Sequence, residues 1–347
     1  ARTGAGAKVQ RGVKATMTTL SNMPKVVTVF GGSGFLGRHV TRALAKRGYR
    51  VRAAVRRPDL AFHLQPLGDV GQIAAIQANL RHKWSVERAV EGADAAINLV
   101  GILFEGGKQG FDAVQEYGAR YVAESCDKAG IPLVHVSAIG ADPDSESQYA
   151  RSKGRGEQWV SETLGDNAVI MRPSIIFGPE DNFFNQFASM TRYSPFLPLI
   201  GGGETKFQPV YVGDVAEAIA RGIDGRLRGG ATYELGGPEV MSFRKCLEEM
   251  LQVIQRKRAL VSIPWWAASM QGRFFQMMPG TPLITEDQVR LLRTDNVVSQ
   301  AAVDDRRTLD GIGIDASTVE AILPTYLWRF RVTGQFRNNV AAEKGEG

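Results

Sequence analysis

Residues 26–40 read VVTVFGGSGFLGRHV: five apolar or β-branched residues, a glycine cluster broken by Ser33, and the opening of a helix. Two glycine registers coexist, Gly31-x-x-Gly34-x-x-Gly37 and Gly32-x-Gly34-x-x-Gly37, with Ser33, Phe35 and Leu36 between them. Such a turn needs positive φ, a close approach of main chain to ligand and tight packing of helix on strand, and glycine meets all three demands. The amides at the helix start then face an anion. Strand, turn and helix occur in the order that a phosphate-cradling, dinucleotide-binding turn requires. The alternative is a tight strand-to-helix turn with no ligand.

Charge points to which dinucleotide. An NAD site places an acid about twenty residues after the glycines, on the ribose 2′-hydroxyl. This chain has RAAVRRPD there, and Asp59 is the first acid in the sequence, after nine Lys or Arg residues between Lys25 and Pro58. Arg56 and Arg57 are placed to grip a 2′-phosphate, which a guanidinium fork holds bidentately. NADP(H) is therefore preferred over NAD(H). Otherwise these arginines form a solvated loop.

The rhythm that follows predicts the fold class. Further strands are expected in YRVRAAVRR, IAAIQANL, DAAINLVG, PLVHVSAIG and AVIMRPSIIFG, alternating with helices such as SVERAVEG, FDAVQEYGARYVAESCDKAG and YARSKGRGEQWVSETLG. Strands alternating with helices of this length imply parallel pairing in a doubly wound α/β sheet. The dinucleotide-binding domain is expected over 25–178, with a segment returning to it over 206–237. A smaller, mostly helical C-terminal domain is expected from 179–205 and 238–335. PEDNFFNQFASMTRYSPFLPLIGGG reads as loop and helix, and ATYELGG as a further strand.

Composition narrows the partners. Of a net charge of +6 over 347 residues, four positive charges belong to Arg2, Lys8, Arg11 and Lys14 in an acid-free leader. The body is therefore nearly neutral, which argues against nucleic acid. Residues 1–24 are expected as a flexible basic leader, either a presequence remnant or an extension upstream of Met17, and 336–347 as a flexible tail. The two cysteines, Cys126 and Cys246, suggest no disulfide framework and no zinc site. No metal is expected, since His63 and His82 lack partner spacing and His135 lies inside a strand as packing. No transmembrane helix is expected.

The reactive candidates lie in VSAIGADPDSESQYARSKGRGEQWV, with Ser137 near the end of the fifth strand and Tyr149 and Lys153 four apart on one helical face. A phenol is a poor acid or base at neutral pH unless an adjacent ammonium lowers its pKa, so Lys153 is expected to activate Tyr149. Ser137 could orient a substrate carbonyl. These are parts of a hydride-transfer site beside a nicotinamide. Alone, a Tyr-Lys pair at this spacing would mark only a surface helix.

GGSGFLG, YARSK, RPSIIFGPED and FQPVYVGDVAEAI together resemble the short-chain dehydrogenase/reductase superfamily in its extended and atypical Rossmann forms, over nearly the whole chain after Lys25. RPSIIFGPEDNFFNQFASMTRYSPFLPLIGGG followed by QPVYVGDV is similar, more narrowly, to the Rossmann-type accessory subunits of respiratory complex I. That resemblance implies a tightly held NADPH that supports fold and assembly with no established turnover. It also implies a peripheral place beside other subunits of the peripheral arm, near the membrane and the quinone site. The side is the mitochondrial matrix or a bacterial cytoplasm. It assigns the cofactor to Gly31, Gly32, Ser33, Gly34, Phe35, Leu36, Gly37, Arg56, Arg57, Asn79, Leu80, Val100, Gly101, Ser137, Tyr149, Lys153 and Pro173. The loop from Ser137 to Tyr149 is shorter than in sugar-nucleotide epimerases, leaving little wall for a large substrate. The rival expectation is a free-standing NADPH-dependent reductase or epimerase using Tyr149 and Lys153.

Segment 260–284, dense in Trp, Phe and Met, is expected to face lipid or neighbouring subunits, or else to be core or a substrate lid. The aromatics of FFNQF and Tyr193 would suit base stacking, but Glu180 and Asp181 beside them weigh against it.

Overall fold

The structure is a computed structural model that describes residues 25–107, 109–277 and 284–332. The basic leader 1–24, the tail 336–347 and residues 278–283 of the aromatic segment lie outside the described residues. Within them, thirteen strands and eleven α-helices follow in chain order.

The first half is β1 (Val26–Phe30), α1 (Phe35–Lys46), β2 (Arg50–Val55), β3 (Ile73–Gln77), α2 (Lys83–Val90), β4 (Ala95–Asn98), α3 (Tyr117–Ala129), β5 (Leu133–Val136), α4 (Gln148–Leu164) and β6 (Ala168–Pro173). Then come β7 (Ile176–Phe177), α5 (Phe184–Met190), β8 (Phe196–Ile200), β9 (Lys206–Phe207), β10 (Val210–Tyr211), α6 (Val212–Ile223) and β11 (Thr232–Leu235). The chain continues through β12 (Met241–Ser242), α7 (Phe243–Val253), β13 (Ala259–Ile263), α8 (Trp265–Met277), α9 (Glu286–Leu291), α10 (Gln300–Asp304) and α11 (Val319–Leu327).

Seven strands form one sheet in the order β11-β6-β5-β4-β1-β2-β3, all parallel. The order reverses between β1 and β4, which opens a crevice beyond their carboxyl ends, where doubly wound sheets bind ligands. Side chains alternate across the sheet. Val27, Val29, Ile97, Val134 and Met171 pack with Val40 and Leu44 of α1 and Val215 and Ile219 of α6. Phe30, Ala96, Leu133 and Ile170 meet Val86, Val122, Cys126 and Val160 on the opposite face. With both faces covered, β1, β4, β5 and β6 are buried along almost their whole length, whereas β3 at one edge is largely exposed and β11 at the other alternates half-buried Thr232 and Glu234 with buried Tyr233 and Leu235.

A second core gathers Phe177, Phe184, Leu197, Leu199, Phe207, Phe243, Leu247, Met250 and Leu323. The rings of FFNQF belong here: Phe183 meets Phe184 edge-on at 5.0 Å and lies 6.0 Å from Phe243, and Phe187 lies 5.5 Å from Phe243. They are packing, not a stacking platform for bases.

Two local expectations are corrected. Residues 179–203, read as loop and helix, contain β8, which pairs in parallel with β13 from inside the aromatic segment. Pro198 hides this strand from a propensity reading, and its partner lies some sixty residues away. The helix expected from Phe111 begins with a π-helical turn, Asp112–Glu116, before α3. Gln115 in that turn is buried, and its amide donates to Ile102 O at 2.9 Å and accepts from Ser152 Oγ at 2.9 Å. Wide turns of this kind gather at functional sites.

Candidate nucleotide site

β1 delivers the chain to Gly31 at φ +81°, where the main chain turns sharply and Gly31 N–H donates to Ala54 O of β2 at 3.1 Å. Gly34 N–H donates back to Gly31 O at 3.0 Å, and α1 starts at the next residue. No side chain caps α1 and no acid sits in its first turn. The leading amides of this helix, those of Phe35, Leu36 and Gly37, thus point outward with the positive end of the dipole. Close approach is visible at both ends of the turn. A methyl on Gly31 would sit 3.3 Å from Val100 Cγ2 across the crevice, and one on Gly32 3.0 Å from Ala53 Cβ. Gly37 lies directly on the main chain of Gly31 and Gly32. Ser33 sits half-buried at the apex.

The other predicted residues follow the carboxyl ends of β2, β3, β4 and β5 or lie at the end of β6 and on α4. Val100 contacts Gly31, Gly101 borders Lys153 Nζ, and Lys153 Nζ donates to Val136 O at 3.1 Å, one residue before Ser137. Ser137 N–H donates to Met171 O at 2.7 Å, and Ile139 N–H to Pro173 O at 3.0 Å, which ties the loop after β5 to the end of β6. Asn79 follows β3; its N–H donates to Ser85 Oγ at 3.0 Å, and Leu80 is buried against Gly118. Arg56 and Arg57 are exposed at the end of β2. They are not equivalent. Arg57 forks onto Asp59 at 2.7 and 3.0 Å, whereas Arg56 has no carboxylate partner among the described residues.

Two residues escaped the sequence reading. Asn98, buried at the end of β4, takes the Val100 amide on Oδ1 at 3.1 Å and offers its Nδ2 to His135 Nδ1 at 3.2 Å. That donation leaves the imidazole proton on Nε2, and Nε2 has no partner. The other is Asp287, more than a hundred residues downstream, whose carboxylate holds the start of α4. Asn98 offered a signal, an amide at the carboxyl end of an apolar strand; Asp287 offered none.

The expected activation of Tyr149 is corrected. Burial pushes its phenol up to about 12, with no offsetting attraction from Lys153. Burial also pushes the Lys153 ammonium down to about 8, although Glu157 one turn on favours the charge. The sequence argument counted a neighbouring charge and not the desolvation that both groups suffer, and the lysine is engaged by a main-chain carbonyl. Phe111 packs edge-on to the Tyr149 ring at 6.1 Å. Ser137 Oγ is buried with no protein partner. With the glycine cradle, that orphaned hydroxyl fits a polar ligand seated over β1, β4 and β5.

His135 makes an acid-side prediction. Burial, aided by Lys153, pushes its imidazole down to about 3 from an ordinary 6.5. The unfolded chain therefore takes up a proton that the native chain refuses, so the stability His135 contributes is present above pH 6.5 and drains as pH falls toward 3. The limiting slope is about 1.4 kcal/mol per pH unit. Urea titrations at pH 7, 5 and 4 should show His135→Gln losing less stability on acidification than the parent; parallel curves would refute the assignment.

Both cysteines are buried, and desolvation raises their thiols to about 12, which makes them inert core groups. Among the described residues no His, Cys, Asp and Glu cluster could hold a metal, and no helix is long and apolar enough to cross a membrane.

Comparison with known proteins agrees with this geometry. Residues 27–236 match the family described as NAD dependent epimerase/dehydratase. The chain is 36% identical over 290 residues to NADH dehydrogenase (ubiquinone) 1 alpha subcomplex subunit 9, mitochondrial, of Arabidopsis thaliana, covering 80% of this chain and 72% of that one. It is 32% identical to the protein of the same name from Rattus norvegicus, covering 85% and 78%. Among solved structures, dTDP-glucose 4,6-dehydratase from Bacillus anthracis in complex with NAD superposes with a TM-score of 0.66 at 15% identity, covering 88% of this chain and 96% of that one. The last likeness is one of fold.

Proposed function

The chain belongs to the NAD dependent epimerase/dehydratase family, and from that premise we propose that it is an NADP(H)-holding accessory subunit of respiratory complex I, without turnover of its own. The relatives from Arabidopsis thaliana and Rattus norvegicus, which match 80% and 85% of its length, carry the name of a subunit of that enzyme. The observation that carries the holding role is an open glycine cradle beside a phenol raised to about 12 and a lysine engaged by Val136 O.

In this reading the amides of Phe35, Leu36 and Gly37, with Gly31, Gly32, Ser33 and Gly34, hold the pyrophosphate. Arg56, assisted by Arg57, takes the 2′-phosphate, and Asn79 and Leu80 lie beside the adenine. Val100, Gly101, Ser137, Tyr149, Lys153 and Pro173 surround the nicotinamide half. When bound, the nicotinamide supplies a hydride donor or acceptor. The nucleotide unit is 25–178 with 206–237; segments 179–205 and 238–335 meet the peripheral-arm subunits. On α8, Trp266, Met270 and Phe274 recur at helical spacing and are each more than 60% exposed. They supply an apolar stripe for a neighbouring subunit or for lipid, on the matrix side of a mitochondrial inner membrane or the cytoplasmic side of a bacterial one.

One purification tests this. Isolated in mild detergent, the chain should comigrate with complex I, and mass spectrometry of the released nucleotide should find NADPH. Arg56→Glu should cut NADPH retention by about tenfold, the loss of a charge-assisted phosphate contact. Migration apart from the complex, or an empty preparation, would overturn the reading. The rival, a free-standing reductase, is favoured by the retention of Ser137, Tyr149 and Lys153 around one crevice; Tyr149→Phe abolishing a reductase activity while assembly persists would establish it.

A further inference from the structure

The helix that carries Tyr149 and Lys153 is started by a residue from the far end of the chain. Ser147 is the N-cap of α4, its Oγ accepting from Ala150 N–H at 3.2 Å. Its neighbours in the first turn are bound by Asp287. Oδ1 of Asp287 accepts from Gln148 N–H at 2.8 Å, and Oδ2 accepts from Tyr149 N–H at 3.0 Å and from Ser147 Oγ–H at 2.9 Å. One carboxylate thus takes the hydroxyl of the cap and the first two helical amides. Bonds to an ionised acceptor are the stronger kind, and a negative charge suits a helix N-terminus.

Asp287 is held in turn. It sits in the first turn of α9, which Thr285 and Gln288 start with a reciprocal capping box at 3.1 and 3.0 Å. Behind α9 lies α8, packed so closely that a methyl on Gly272 would come 2.7 Å from Glu286 N, and Arg273 pairs with Glu286 at 3.1 Å. The same stretch of chain touches the site once more, where Asn296 Nδ2 donates to Ile139 O at 3.1 Å and its Oδ1 accepts from Ser174 Oγ at 2.6 Å.

We propose that Asp287 is a positioning residue for the nicotinamide half of the nucleotide: by gripping the main chain at Tyr149 it sets the register of α4, and with it the placement of Tyr149 and, one turn on, Lys153. The proposal rests on the reading that the crevice holds NADPH. It makes the C-terminal segment part of the nucleotide site, and it separates two halves of the ligand. The adenosine half would lie against Gly31–Gly37 and Arg56, none of which is hydrogen-bonded to α4 or α9 among the described residues.

That separation supplies the test. NADPH and adenosine 2′,5′-bisphosphate, which carries only the adenosine half, are titrated against the full chain and against Asp287→Ala. The variant should lose about tenfold in NADPH affinity, in line with removal of a helix cap, and hold adenosine 2′,5′-bisphosphate as the parent does. A general loosening would weaken both ligands alike, and that result, or no change in either, would overturn the proposal. Should Asp287→Ala fail to fold, Asp287→Asn decides, since it keeps one carbonyl acceptor and sets an amide against the other donor; an intermediate loss confined to NADPH is expected. A parent chain that binds neither ligand would show that the nucleotide reading itself had failed and would take the proposal with it.

Discussion

Gly37→Ala is expected to abolish nucleotide retention and to destabilise the fold by about 2 kcal/mol or more, the cost of forcing a methyl into a packed interface. The methyl would overlap the Gly31 carbonyl oxygen and lie 2.6 Å from both the carbonyl carbon and oxygen of Gly32. All three are main-chain atoms, so no side chain can swing away. Relief comes only from moving α1 off β1, which disturbs Val40 and Leu44 beneath it and turns the leading amides away from the crevice. Gly34→Ala makes the contrast. Its φ is −74°, and the nearest atom to an added methyl is Gly31 O at 3.3 Å. That variant should melt close to the parent yet bind NADPH less tightly, because the methyl stands where the pyrophosphate approaches. Thermal melts read beside nicotinamide fluorescence titrations check both; a Gly37→Ala protein with the parent's melting point and affinity would mean that helix and turn are not in the contact described.

What the sequence disclosed and what it withheld divide along one physical line. Gly31, Gly34 and Gly37 lie within seven residues, and Tyr149 and Lys153 within one turn, so spacing along the chain is spacing in space. Strand alternation is equally local, and the parallel sheet follows from it. The grip of Asp287 on α4, the Asn98–His135 pair and the pairing of β8 with β13 join residues far apart in sequence. No periodicity announces them. Arg192 likewise reaches Arg256 and Arg258 from a separate segment, and both neighbours add to the burial that lowers the Arg256 pKa. The direction of the Tyr149 shift was missed because burial is a property of the fold, whereas the neighbouring lysine could be read from the chain.

Asp181, in the RPSIIFGPED stretch, shows how far a residue noted in sequence can differ in role from its setting there, and Asp181→Ala is expected to destabilise the fold by about 3 kcal/mol, since it strips partners from several buried donors at once. Its carboxylate is buried, and Oδ2 accepts from Gly178 N–H at 3.1 Å and from the Tyr326 hydroxyl at 2.6 Å, while Oδ1 accepts from Asn185 N–H at 3.1 Å. Burial raises its pKa, and hydrogen bonds from Tyr326, Gly178, Asn185 and Phe184 pull it back. One side chain thereby fastens the turn after β7, the start of α5 and the last α-helix, α11, around the phenylalanine core. Tyr326→Phe removes only one of these bonds and should cost about 1 kcal/mol, with the double variant losing less than the sum because the two share a bond. Tyr326 also sets an alkaline limit. Burial first, then Asp181, raises its phenol well above the ordinary 10. The unfolded chain therefore releases a proton near pH 10 that the native chain keeps, and stability falls as pH rises past 10. Urea unfolding at pH 8 and pH 10.5 should show the parent losing stability across that interval more steeply than Tyr326→Phe. Equal losses in both, or an Asp181→Ala protein that unfolds at the parent's urea midpoint, would remove this carboxylate from the centre of the second core.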